Sequence, residues 1–204
     1  MKLQPQLHAV MEKLSNNEGD TLEIDKAWIT KAGEDFAASL DRQFTRRDDE
    51  FRLRASNMGK SLCQLQMAKS GAVAERKDYN FIMRMLHGDA IEVIMDLLLK
   101  IAKANITGGK SKIALDLGDT IIKGEDDIHI DNKVYDIKSS APYSFDLKWK
   151  KGLDALKSDD PFGYIGQLVG YSVAQDLDTG GWIVVCKSTG QVVVVDADFS
   201  DAEK

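Results

Sequence analysis

Apolar residues recur at two different periods along this 204-residue chain. Through about residue 104 the spacing is helical: Leu7, Val10, Met11 and Leu14 share one face, as do Trp28, Phe36, Leu40 and Phe44. The strongest such stripe predicts a helix over 79–103, built from Phe81, Met85, Ile91, Ile94, Met95, Leu98 and Ile101, with Asp78 placed to cap its start. Residues 105–112, with Gly108-Gly109, read as a loop. The period then shortens to 2, which predicts strands over 112–122, 126–130 and 133–139, the last two joined by the turn pair Asp131-Asn132. A helix over 162–175 follows. A hairpin of buried strands, 180–186 and 191–195, closes the chain through Ser188-Thr189-Gly190. Helices, three strands, a helix and two strands define an α/β protein, with no internal repeat, low-complexity tract or linker.

Composition narrows the class without changing that order. With 43% hydrophobic and 29% charged residues the chain is globular rather than disordered, and a chain of this length buries roughly 70% of its unfolded surface. Its two cysteines cannot make a four-thiolate zinc or iron-sulfur site, and Cys63, among Leu62, Leu65 and Met67, is expected to be a buried small hydrophobe. No apolar run reaches signal-peptide or membrane-spanning length. The richest stretch, 91–101, is broken by Glu92, Asp96 and Lys100, so a cytoplasmic protein without a membrane partner is expected. The net charge of −6 is unevenly spread. All seven Arg lie at positions 42, 46, 47, 52, 54, 76 and 84. Residues 41–112 carry 14 Lys and Arg against 9 Asp and Glu, a net of +5, leaving −11 for the rest.

The residues with chemistry to offer lie in the predicted meander, GEDDIHIDNKVYDIKS over 124–139. Alternation puts Asp136 and Lys138 on one face of their strand and turns Ile137 to the other. Pairing across the 131–132 turn brings Asp126 or Asp127 beside Asp136. Two carboxylates that close repel unless a cation neutralises them, so hard oxygen ligands beside a lysine describe a magnesium site; a solvated, charged hairpin is the plainer alternative. In the helix over 79–103, Glu92 lies one turn after Gly88, beside a bare backbone patch. A mid-helix glycine costs about 1 kcal/mol against alanine, a cost that close helix packing or an approaching phosphate or metal would offset. Gln167 and Tyr171 are four apart on one helix face, a spacing that also suits a simple surface contact.

Taken in order, these segments resemble the PD-(D/E)XK nuclease superfamily, in the branch of RecB-like nucleases and lambda-type (YqaJ) phage exonucleases. Gly88 to Glu92 is similar to its first acidic motif, Gly124 to Asp127 to the GxxD motif, Asp136-Ile137-Lys138 to (D/E)xK, and Gln167 to Tyr171 to the QxxxY motif of the RecB-like branch. The resemblance runs over about residues 50–196. It implies a restriction-endonuclease-like α-β-β-β-α-β core over 51–204, a mixed central sheet flanked by helices, with a helical extension over 1–50.

By that resemblance the function is metal-dependent exonucleolytic hydrolysis of DNA from its ends, in a phage or in bacterial recombination or DNA degradation. A structure-specific or restriction-like endonuclease and a non-catalytic DNA-binding member are the alternatives. Glu92, Asp127, Asp136 and the Ile137 carbonyl would bind one or two Mg2+ or Mn2+ ions, and Lys138 would position or deprotonate water. Gln167 and Tyr171 would orient the site or touch DNA. Asp127 completes GxxD, with Asp126 as the alternative if the hairpin register differs by one. No iron-sulfur cluster is expected. DNA contacts are expected from Arg52, Arg54, Ser56 and Lys60, and from Arg84, His87 and Ser139. A solvated helical face with Arg52 and Arg54 paired to Asp48, Asp49 and Glu50 is the alternative for that stretch.

Overall fold

The computed structural model describes residues 3–45, 51–72, 79–197, 199–200 and 203. Helices α1 (Leu3–Ser15), α2 (Lys26–Phe44), α3 (Leu62–Lys69) and α4 (Asn80–Ile101) lead into strands β1 (Ile106–Gly108), β2 (Lys112–Asp116), β3 (Ile121–Glu125), β4 (Ile128–Ile130) and β5 (Lys133–Ser140). Then come α5 (Pro142–Leu147), α6 (Leu153–Ser158), α7 (Tyr164–Gln175), β6 (Asp178–Cys186) and β7 (Val192–Asp196). The result is an α/β protein with a mixed five-stranded sheet in the order β1-β4-β5-β6-β7, parallel only between β5 and β6. A separate two-stranded ribbon pairs β2 with β3.

Sheet alternation sorts the core into two layers. Val134, Trp182 and Val184 face Trp149, Leu168 and Tyr171 on the side of α5 to α7. Ile137 and Ile183 face Leu7, Met95 and Leu99 on the side of α1 and α4. Helix α1 is therefore seated in the core, and two side chains tie it to β7: His8 Nε2 to the Val192 carbonyl at 3.0 Å, and Gln4 Oε1 accepting from Val194 N at 2.9 Å. Helix α2 lies on α4 through polar groups: buried Asp89 takes a 3.0 Å ion pair from Arg42 and a 2.8 Å hydrogen bond from Gln43. The boundary expected at residue 50 falls within 46–50, outside the described residues.

Several expected boundaries move. The strand expected over 112–122 is two strands, because Gly118, at φ +86°, turns the chain between β2 and β3. The expected loop contains β1, whose three residues pair with β4. Helices α5 and α6, six residues each, are additional to the expected order. Cys63 is exposed rather than buried, since α3 buries none of its residues. Asp78, the expected cap of α4, lies outside the described residues, as do Arg46, Arg47, Arg76, Asp48, Asp49 and Glu50.

Leu7 is fully buried in the α1/α4 layer. Truncating Leu7→Ala removes core atoms and leaves a void, so equilibrium denaturation should show a loss of about 2–5 kcal/mol. A loss below about 0.5 kcal/mol, the range of surface substitutions, would mean that α1 is not part of the core.

Candidate active site

The site starts from a turn. Asp131 and Asn132 both adopt positive φ, +53° and +59°, the backbone that a two-residue hairpin loop with matching twist requires. The turn sets the register Ile130↔Lys133, His129↔Val134 and Ile128↔Tyr135. One step further puts Asp127 opposite Asp136, with both side chains on one face. Asp127 Oδ2 accepts a 2.6 Å hydrogen bond from Ile137 N, which fixes the carboxylate beside the (D/E)xK strand.

Asp136 is 1% exposed. Lys138 Nζ lies 2.7 Å from each of its oxygens but donates a hydrogen bond to Oδ1 alone. Oδ2 is buried without a permanent donor. The carboxyls of Asp127 and Asp136 are in hydrogen-bonding contact, which holds only while one of them keeps a proton. Burial raises Asp127 well above the usual carboxylate range, with Asp136 and Glu92 adding to the rise. Burial also raises Asp136, against the pull of Lys138. It pushes Glu92 on α4 up to about 7; Lys138 opposes this, and Asp89 and Asp136 reinforce it. Although burial disfavours its charge, Lys138 is raised above its ordinary range by Asp136 and Asp127 and stays protonated. Its ammonium also lies over the Tyr164 ring, 5.8 Å from the centroid.

Asp126, which like Asp127 precedes β4, also lines the cavity over the site but has its carboxylate taken by other partners. It is 1% exposed, accepts from Ser111 N at 2.7 Å and from Gln175 Nε2 at 2.6 Å, and is hydrogen-bonded to His129 Nε2. Gln175 belongs to α7, which also carries Gln167 and Tyr171, so this cluster anchors β4 to that helix. Gln167 Nε2 donates to Tyr171 Oη at 2.8 Å, and burial pushes the Tyr171 phenol up to about 12. Gly124 lets β3 approach the same ring: a Cβ there would lie 2.8 Å from Tyr171 Cε1 and 3.1 Å from Ala55 Cβ. The glycine of the GxxD segment is thus required by packing.

A cavity of about 750 Å3 opens over the carboxylates, lined among others by Glu92, Asp127, Ile137 and Tyr171, with Arg52, Arg54 and Ser56 at its side. Asp136 and Lys138 lie behind that lining. Exposed Lys60, Arg84 and His87 are outside it, and a Cβ on Gly88 would meet nothing within 4 Å, so close helix packing does not explain that glycine. Ser139, on the same face of β5 as Ile137, is also outside that lining. Sequence reading missed Arg42 and Asp89, which join α2 to the cavity wall, and the Asp126, His129 and Gln175 cluster. The 126/129 spacing hinted at the cluster, but Gln175 is 49 residues away.

Among the described residues no three His, Cys, Asp or Glu side chains already stand as a metal-binding group. Glu92, Asp127 and Asp136 nevertheless suit a divalent cation: they are hard oxygen donors, Asp136 raises the proton affinity of both Glu92 and Asp127, and Asp136 Oδ2 lacks a permanent donor. A scan of protein-family models finds no match to this chain, and a search of curated proteins finds none. The solved structure titled "Crystal structure of SSO0001" resembles it over 82% of this chain and 78% of that one, at 15% identity and a TM-score of 0.46, a likeness too distant to bear on function. Among the described residues no helix is long and apolar enough to cross a membrane.

Raised carboxyl pKa values have a definite sign in stability. Groups that hold protons more tightly when folded contribute stability that is full below their unfolded pKa and lost as pH rises through the folded one. For Glu92 that loss runs from about pH 4.5 to about pH 7, and for Asp127 its direction is the same. In the absence of divalent metal, Asp127→Asn should therefore raise Tm by about 2–4 °C at pH ~8 and by less at pH ~5. Asp126→Asn should lower it at both, because it breaks into the buried hydrogen bonds from Ser111, His129 and Gln175. Thermal melts in chelator at the two pH values check both signs, and a gain at Asp126 with a loss at Asp127 would contradict the assigned orientation.

Proposed function

We propose that this protein is a metal-dependent deoxyribonuclease with a restriction-endonuclease-like core, acting on DNA from free ends. The observation that carries this reading is the meeting of Glu92, Asp127, Asp136 and Lys138, from α4, the β4 approach and β5, under one cavity. The order of the segments similar to the PD-(D/E)XK motifs supports it, as does the Gln167–Tyr171 hydrogen bond on the helix beside them. Action from ends, and a source in a phage or in DNA recombination, rest on the resemblance to lambda-type exonucleases.

On this reading Glu92, Asp127, Asp136 and the Ile137 carbonyl would hold Mg2+ or Mn2+. When bound, the ion supplies Lewis acidity and a more acidic water. Lys138, held protonated by Asp136 and Asp127 while no ion is bound, would position or deprotonate the attacking water and neutralise charge growing on the phosphate. Asp136 keeps the ammonium in place. Tyr171, whose phenol also stays protonated, is held by Gln167 as a hydrogen-bond donor at the cavity wall.

Linear duplex DNA with Mg2+ should be degraded while a covalently closed circle is spared. Lys138→Ala should slow the reaction by about 10²–10³-fold, the usual cost of one transition-state donor. Cutting of the circle would redirect the reading to an endonuclease, and no cutting by a folded protein would overturn it. Because Glu92 gives up its proton near pH 7, Mn2+ affinity measured by titration calorimetry should increase from about pH 6 to about pH 8, with protons released on binding. Affinity independent of pH would remove Glu92 and its neighbours as ligands.

A further inference from the structure

The β2–β3 ribbon pairs with no strand of the main sheet, yet it packs against the site. Its inner face packs Ile113 and Ile122 into the core, and Gly124 seats on Tyr171. Alternation then fixes the outer face. Lys123, next to Gly124, points outward, and Lys112 shares that exposed face one diagonal step away, since Lys112 pairs with Glu125 and Ala114 with Lys123. Arg54 is bridged side by side with Lys123 in a parallel contact. All three cations line the cavity that holds Glu92 and Asp127. None of the three has an ion pair within 4.0 Å among the described residues; the nearest acid by register is Glu125, across from Lys112.

Like charges set side by side repel, and Glu125, across from Lys112 and two residues from Lys123, offsets one of the three cations only. An anion would offset the others. The same cavity presents carboxylates, which disfavour a small free anion that settles among them. The ligand that satisfies both halves is an extended polyanion whose charges are strung out along a chain. We propose that Arg54, Lys112 and Lys123 form a phosphodiester track, binding the sugar-phosphate backbone of the strand next to the phosphate over the carboxylates. The contact is independent of base sequence because it reaches phosphates alone. This inference rests on the nuclease reading above and assigns the ribbon a role in it.

The test is fluorescence anisotropy of a fluorescein-labelled linear DNA in Ca2+ across a salt series, with steady-state cleavage in Mg2+ alongside. The double variant Lys112→Ala/Lys123→Ala changes only exposed side chains, and circular dichroism confirms its fold. It should lower the slope of log affinity against log salt by about 2. KM should rise about tenfold, with kcat within about threefold, because the phosphates bound lie away from the reacting centre. Lys112→Arg/Lys123→Arg should restore the slope, and Lys187→Ala, in the exposed turn after β6, should leave it unchanged. If the wild-type protein binds and cuts DNA while the alanine pair keeps the wild-type slope, the track is wrong and the nuclease reading stands. If the folded wild-type protein neither binds nor cuts DNA, the nuclease reading itself fails and the track with it.

Discussion

Two aspartates held directly opposite each other inside a protein are a standing electrostatic cost, and much of this fold is arranged to impose it. The two-residue turn at Asp131-Asn132 admits one pairing of β4 with β5, and that pairing brings Asp127 to Asp136. A slip of one residue would exchange Asp127 for Asp126 and turn the whole apolar set of β4 to the wrong face. Ile128 and Ile130 are buried in the α1/α4 layer and forbid the slip. Register, core and the juxtaposed acids are one constraint seen at three levels.

The neighbouring elements hold that arrangement from outside. Asp126 is spent on structure, with its oxygens taken by Ser111, His129 and Gln175, so the strand cannot rotate to relieve the repulsion at Asp127. Gln175 and Tyr171 join helix α7 to both hairpins, through Asp126 on one side and Gly124 on the other. Lys138 is the only cation in hydrogen-bonding contact with the acids among the described residues, and it satisfies one oxygen of Asp136. Three acids with raised proton affinity and one lysine make a site that sacrifices stability, the pattern expected where a binding partner supplies the missing charge.

What the sequence revealed of this follows range in the chain. Asp131-Asn132 is a local signal, and with strict alternation on both sides it was enough to foretell that an acid would meet Asp136. The choice between Asp126 and Asp127 was not local, because the partners that claim Asp126 include Gln175, 49 residues on. The break at Gly118 was hidden because β2 and β3 carry the same alternation on either side of it. Strand β1 is only three residues long and ends in glycine, so it has no periodicity to read. Cys63 was misjudged for a different reason: the apolar neighbours Leu62 and Met67 are themselves exposed. The Arg42–Asp89 ion pair spans 47 residues and depends on how α2 lies on α4, which apolar spacing alone does not encode.

The proposal on which the rest turns is that Asp127 and Asp136, both raised by burial, are held together to share a divalent cation. Anomalous diffraction from crystals soaked in Mn2+ at about pH 8 tests it directly. The expected result is a peak within roughly 2–2.5 Å of oxygens from both aspartates, with Glu92 joining the shell and Asp126 still bound to His129 and Gln175. A density map with no peak there and the two carboxyls still in contact would contradict it.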